Sequence, residues 1–188
     1  WMLTTACAQN ARWHAQGYDR LRIAVNISAH QLTNPGFVSL VQSTLGKTGL
    51  APKFLELEIT EDATSTNTDE VVEVLRRLRA LGVTIAIDNF GTEYSSLSRL
   101  KLLTIDRIKM DMQFVQGIAN NNKDEAIVKV IIQLARNLDL RVIAEGVESE
   151  PQADFLRNQI CDEVQGYYYY EPMPAEEMEA ILLNQYTK

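Results

Sequence analysis

Cysteine is almost absent from this sequence. Cys7 and Cys161 form neither a CxxC pair nor a spaced cluster, and two cysteines in 188 residues argue for a reducing compartment over a disulfide framework. A cytoplasmic setting is the expectation. Long apolar runs are also lacking: none approaches the roughly 18 residues a membrane span requires, and no signal segment is present, so no membrane contact is expected within this chain. Cations are outnumbered. With 18 Lys and Arg against 25 Asp and Glu, the net charge of −7 works against attraction to duplex nucleic acid, which relies on cations neutralising phosphates. An anionic ligand must therefore be held by local groups. His14 and His30 are isolated and read as ordinary surface or partly buried residues.

What the chain does have is a 46% hydrophobic content arranged as short runs. Runs at Arg22 to Val25, Phe54 to Leu57, Val83 to Ile87, Ile105 to Ile108, Leu140 to Ala144 and Asp162 to Val164 each end in a polar or charged residue: Asn26, Glu58, Asp88, Lys109, Glu145 and Gln165. Helix-period segments alternate with them: Gly36 to Thr48, Asp69 to Leu81 entered by Asn67, Lys123 to Leu138, and Ala175 to Gln185 after Pro172-Met173-Pro174. On Lys123 to Leu138 the expected packed stripe is Ile127, Val130, Ile131, Leu134, Ala135 and Leu138. Repeated strand-helix units predict an α/β fold with a parallel sheet. If the sheet closes as a TIM-type (β/α)8 barrel, the site lies at the carboxyl ends of its strands, where these six polar residues fall.

A full barrel of that kind usually takes about 250 residues, so about two strand-helix units are missing. The segment from Trp1 to Trp13 has helical spacing with nothing to cap it, so the expectation is a single domain fragment, 1–188, lacking its first units. Strands left without neighbours favour association, so a homodimer or pairing with a missing N-terminal segment is expected.

Glu58, Asp88 and Glu145 follow apolar runs, and carboxylates near a core need a cation or several donors. A divalent metal would relieve their mutual repulsion, and hard oxygens with one carboxamide, Asn26, suit magnesium or manganese better than zinc. Any one of these acids could equally end a strand because turns favour it. Three acids, an amide and a lysine at equivalent strand ends make that reading the weaker one. Lys109 could orient a water or neutralise a phosphoryl group, and a salt bridge to a neighbouring acid is an equal alternative. The stretch from Asn89 to Leu97, with Gly91, reads as a site-building loop. Tyr167 to Tyr170 could stack on a base, but packing is the stronger expectation for most of them.

Six motifs, Val25-Asn26-Ile27-Ser28, Glu56 to Glu61, Asp88-Asn89-Phe90-Gly91-Thr92, Asp106 to Asp111, Val142 to Glu148 and Gln165-Gly166-Tyr167, resemble in order and spacing the EAL domain of bacterial cyclic-di-GMP phosphodiesterases. The resemblance implies an EAL-type barrel that binds cyclic di-GMP and hydrolyses it to the linear dinucleotide with two Mg²⁺ or Mn²⁺ ions. By position, Asn26, Glu58, Asp88 and Glu145 look like metal ligands, Lys109 and Gln165 like residues at the attacking water, and Gln165 and Pro172 like substrate contacts. Glu61 resembles the anchor of the loop that follows Asp88. Two departures accompany the match. The Glu-Ala-Leu segment is absent, and Asn89 stands where the family has a second metal-ligating Asp. The implied alternative to an impaired phosphodiesterase is a degenerate cyclic-di-GMP receptor or a protein-interaction module.

Overall fold

The computed structural model of the protein describes residues 1–64, 68–92 and 100–186. Six strands, β1 (Ile23–Ile27), β2 (Leu55–Thr60), β3 (Thr84–Phe90), β4 (Arg107–Met110), β5 (Arg141–Ala144) and β6 (Glu163–Val164), pair in sequence order as one all-parallel sheet. The helices among the described residues are α1 (Met2–Ala15), α2 (Ala29–Leu32), α3 (Phe37–Thr48), α4 (Thr68–Ala80), α5 (Met112–Gln116), α6 (Asn122–Asn137), α7 (Glu150–Asn158) and α8 (Ala175–Tyr186). None of them is long and apolar enough to cross a membrane.

Alternation along the strands divides the sheet into two faces. Leu55, Leu57 and Ile59 of β2, Ile85 and Ile87 of β3, Ile108 and Met110 of β4, and Val142 and Ala144 of β5 pack under the helices as one core with Leu75, Leu78, Val128, Ile131, Ala135 and Leu156. Burying each such Leu or Ile contributes roughly 1.5–3 kcal/mol. The intervening residues, Glu56, Glu58, Ala86, Arg107, Lys109 and Ile143, form the other face. Residues of both edge strands, β1 and β6, line one cavity of about 440 Å³ with Glu56 and Arg107, so the sheet curls toward a barrel and stays open between those edges.

Three differences from the sequence reading have physical causes. The strands do not stop before their charged residues: β2, β3 and β4 run through Glu58, Asp88 and Lys109, because a side chain with an ionic partner on the inner face need not leave the ladder. Helix α6 is rotated from its expected phase. Val128, Ile131, Ile132 and Ala135 are buried, whereas Ile127, Val130 and Leu138 are exposed, because the inward stripe is centred one residue later. Tyr167 to Tyr170 form a turn after a two-residue β6, and all four are exposed, with Tyr168 and Tyr169 edge to face at 5.1 Å. Helices α2, α5 and α7 were not anticipated, although Ser149, Pro151 and Gln152 write a capping box for α7 that is present in the structure. Asn67 and the loop residues from 93 to 97 lie outside the described residues.

Candidate functional site

Glu58, Lys109 and Asp88 are delivered by the carboxyl ends of the adjacent strands β2, β4 and β3, and Glu145 follows β5 directly. Lys109 is at the centre. Its Nζ donates to Glu58 Oε1 at 2.8 Å and to Glu145 Oε1 at 2.8 Å, and stands 3.5 Å from Asp88 Oδ1. Lys109 is 4% exposed and Glu58 7%, so the cluster is largely shielded from water. Burial alone would lower the Lys109 pKa, but its hydrogen bonds to Glu145 and Glu58 outweigh that and hold the ammonium well above its ordinary value. Glu145 moves the other way for an acid. Burial raises its pKa, the Lys109 contact opposes this, and the charges of Asp88 and Glu58 push it further up, since one ammonium shared among three acids cannot compensate each fully.

The backbone around the cluster is fitted to it. Gly146, at φ +72°, turns the chain immediately after Glu145, and a Cβ there would lie 2.5 Å from the Cβ of Met112 in α5. Gly91 (φ +97°) donates its backbone N–H to Glu61 Oε2 at 3.4 Å, and a Cβ at 91 would meet the Phe114 ring at 2.9 Å. Glu61 is thus joined to the first turn after β3. Asn89 adopts φ +55°, with its N–H on Asp88 Oδ1 at 3.0 Å and its carbonyl accepting from Thr92. That left-handed conformation is one an Asn tolerates well.

Beside the cluster is a cleft of about 280 Å³ lined by Asn89, Asp111, Glu145, Glu148, Gln165 and Tyr167, among others. Gln165 also lines the inner cavity with Glu58, so it stands between the two spaces. Asn26 is exposed on edge strand β1, in register with Glu58. Pro172 is exposed and lines neither cavity. The structure therefore joins Glu58, Asp88, Lys109 and Glu145 by contact, sets Gln165 and Asn89 at the adjoining cleft, and leaves Pro172 apart.

Sequence reasoning missed a second polar layer. Two residues before Glu58 and Lys109, Glu56 and Arg107 point to the same inner face, both 3% exposed. Arg107 Nε lies 3.1 Å from Glu56 Oε2, Arg107 NH1 2.6 Å from Glu163 Oε2, and Arg22 NH1 3.4 Å from Glu56 Oε2. Glu56 is raised by burial in spite of Arg107 and Arg22, whereas Glu163, half exposed, is lowered because its hydrogen bond to Arg107 overcomes burial. The signal was available: period-2 spacing back from each site residue names the inner face.

Three carboxylates with the carboxamides of Asn26 and Asn89 are hard oxygen donors, a set that fits a magnesium-, manganese- or calcium-like cation. As arranged, the acids close on Lys109, and no group of three acidic, histidine or cysteine side chains among the described residues, this cluster included, surrounds a cation position.

The sequence pattern of the EAL domain family matches residues 1–172. Among curated proteins, the chain is 44% identical over 182 residues to the cyclic di-GMP phosphodiesterase NbdA of Pseudomonas aeruginosa, covering 97% of this chain and 23% of NbdA. Among solved structures it is similar to the MucR phosphodiesterase in complex with c-di-GMP, with a TM-score of 0.90 and 42% identity over 95% of this chain and 72% of that one. It is also similar to a Klebsiella pneumoniae BlrP1 calcium and cyclic-di-GMP complex, with a TM-score of 0.79 and 30% identity over 87% of this chain and 41% of that one. The chain thus spans about a quarter of the length of NbdA.

Proposed function

This chain belongs to the EAL domain family, and on that footing we propose that its strand-end cluster is a metal-dependent site for cyclic di-GMP, built for phosphodiester hydrolysis and impaired here by Asn89. The observation that carries this is the convergence of Glu58, Asp88 and Glu145 on one buried lysine beside an open cleft. Hydrolysis adds water across one P–O ester bond, giving a terminal phosphate and a free hydroxyl, the linear dinucleotide pGpG. Mg²⁺ or Mn²⁺ held by Asn26, Glu58, Asp88 and Glu145 would supply Lewis-acid activation of water and charge neutralisation at phosphorus. Lys109 presents a fixed ammonium to negative charge developing on the phosphoryl oxygens. Gln165, at the junction of the two cavities, orients water or a ligand oxygen, and Glu61 holds the turn at Gly91. Pro172 contacts substrate only if the segment after β6 folds over the cleft.

The chain is read as one domain fragment in a cytoplasmic setting. Its free edges at β1 and β6 support pairing with a second copy or with a preceding segment. A receptor that binds the dinucleotide without cleaving it is the second reading, favoured by the neutral amide at 89.

The test is calorimetric titration of cyclic di-GMP in the presence of Ca²⁺, with chromatographic assay of pGpG in the presence of Mn²⁺. Binding is expected, with negligible turnover, and Asn89→Asp should raise turnover by about 10²–10³-fold if the missing charge contact is the defect. Absence of nucleotide binding would refute the reading. Binding with no gain from Asn89→Asp would favour the receptor.

A further inference from the structure

Resting on the phosphodiesterase reading of this site, we propose that the short helix α5 is a clamp that sets the spacing of the strand-end cluster, with Met112 and Phe114 as its positioning residues. The helix begins three residues after Lys109 and is fixed where it starts. Asp111 accepts the Gln113 N–H at 2.8 Å, and the Val115 side chain is fully buried. From this footing Met112 and Phe114 reach the turns that follow two of the site acids. The turn after Glu145 passes through Gly146 at φ +72°, where a Cβ would lie 2.5 Å from the Met112 Cβ and 3.3 Å from its Cα. The turn after Asp88 and Asn89 passes through Gly91 at φ +97°, where a Cβ would lie 2.9 Å from the Phe114 ring. Neither turn has room to move toward the helix.

Each contact alone is ordinary close packing of a glycine. Together they set one five-residue helix against both turns, and that helix follows directly on the strand that carries Lys109. The distances from Lys109 Nζ to Glu145 Oε1, 2.8 Å, and to Asp88 Oδ1, 3.5 Å, are therefore both gauged from a single element. An outward shift of about 1 Å at Gly146 would carry the shorter contact out of hydrogen-bond range. The shift would not stop at Glu145. The Glu145 N–H donates to the Met110 carbonyl at 3.2 Å and the Val147 N–H donates to the Gln165 carbonyl at 3.1 Å, so the turn between them is tied to β4 on one side and to Gln165 on the other.

The ammonium signal of Lys109 in proton–nitrogen correlation spectra of the 188-residue chain, without metal or nucleotide, reads the clamped contact directly, and Lys109→Met assigns it. The wild type should show a slowly exchanging ammonium. Gly146→Ala drives a Cβ against Met112 and should quicken that exchange by about tenfold, as expected when a charged hydrogen bond is opened. Adding Met112→Gly to Gly146→Ala moves the Cβ across the contact and should restore the slow signal, whereas Met112→Ala, which keeps its Cβ, should leave the wild-type signal in place. If Gly146→Ala does not fold, Met112→Gly alone decides, since removing the surface on which the turn rests should also quicken exchange. Cyclic di-GMP affinity, measured on folded protein by calorimetry, should fall by about tenfold in Gly146→Ala and recover in the double variant, a change that a contact serving stability alone would not produce. No slow ammonium in the wild type, or the same exchange rate in Met112→Gly or in folded Gly146→Ala, would overturn the clamp. An affinity that ignores the signal would overturn the positioning role. A wild type that binds no cyclic di-GMP would overturn the phosphodiesterase reading, and the ammonium signal would still decide the clamp.

Discussion

The two polar layers inside the curled sheet come from the same strands, two residues apart, and differ in charge balance. In the lower layer two arginines meet two glutamates and the sum is zero. In the upper layer one lysine meets three carboxylates and two negative charges are left over. Glu56 and Arg107 of the lower layer and Glu58 and Lys109 of the upper one are all buried on the inner face, so burial does not distinguish the layers. Charge balance does: a neutral network satisfies itself and gives rigidity, while a network with a surplus of one sign is completed by something outside the chain. The lower layer is the footing on which the upper one stands, because Arg107 and Glu56 fix the inner faces of β4 and β2 just below Lys109 and Glu58.

The largest expected effect comes from breaking the balanced layer. Arg107→Ala leaves Glu56 buried with only the longer Arg22 contact, and removal of one partner from a buried pair typically costs about 3–5 kcal/mol. Urea denaturation followed by circular dichroism should show that loss. Mn²⁺ should not repair it, since the variant still lacks the cation beneath the site. A loss below about 1 kcal/mol would mean that the lower layer is no more than a solvated ion pair.

Much of this comparison was legible in the sequence, though not the layer that supports it. The upper-layer residues stood out because each follows an apolar run, and a charge next to such a run asks for an explanation. Glu56 and Arg107 lay within runs read as apolar, and only the alternation of a strand, counted back from Glu58 and Lys109, reveals that they face inward. Helix α6 failed for a related reason. Ile127, Val130 and Leu138 are as apolar as Val128 and Ile132, so its sequence supports two overlapping stripes, and contact with β4 and β5 decides which one is buried. The turn of four tyrosines was unreadable because β propensity favours a strand there, while Gly166, whose absent Cβ would lie 2.1 Å from the Val147 carbonyl oxygen, packs too close to that backbone for β6 to continue.

A smaller effect, opposite in kind, is expected in the upper layer. Asp88→Asn removes one of three acids from a site with an excess of them, at the longest of the lysine contacts, 3.5 Å. Metal-free stability should change by less than about 1 kcal/mol, because the lost attraction to Lys109 is offset by relief of repulsion from Glu58 and Glu145. What should disappear is the rise in melting temperature that Mn²⁺ gives the wild type. A metal-free loss as large as that of Arg107→Ala would show the upper layer to be as self-sufficient as the lower one.

The smallest expected effect is a pair of pH slopes of opposite sign. Glu145 has a raised pKa in the fold, so the folded chain binds its proton more readily than the unfolded chain. Between the ordinary carboxylate value of about 4.3 and the raised folded value, this group makes stability fall as pH rises and recover as pH falls. Glu163 is lowered by its Arg107 hydrogen bond, so its contribution is present above the ordinary carboxylate value and is lost as pH falls through the folded value. Melting temperatures of wild type, Glu145→Gln and Glu163→Gln, taken without metal from neutral to acid pH, separate the two. Relative to Glu145→Gln, the wild type should gain stability as the solution becomes mildly acidic. Relative to Glu163→Gln, it should lose stability at more acid pH, by an amount reduced by solvent screening at that half-exposed side chain. Slopes of the same sign would mean that the surplus charge of the upper layer is already compensated inside the chain, and the contrast between the layers would fail.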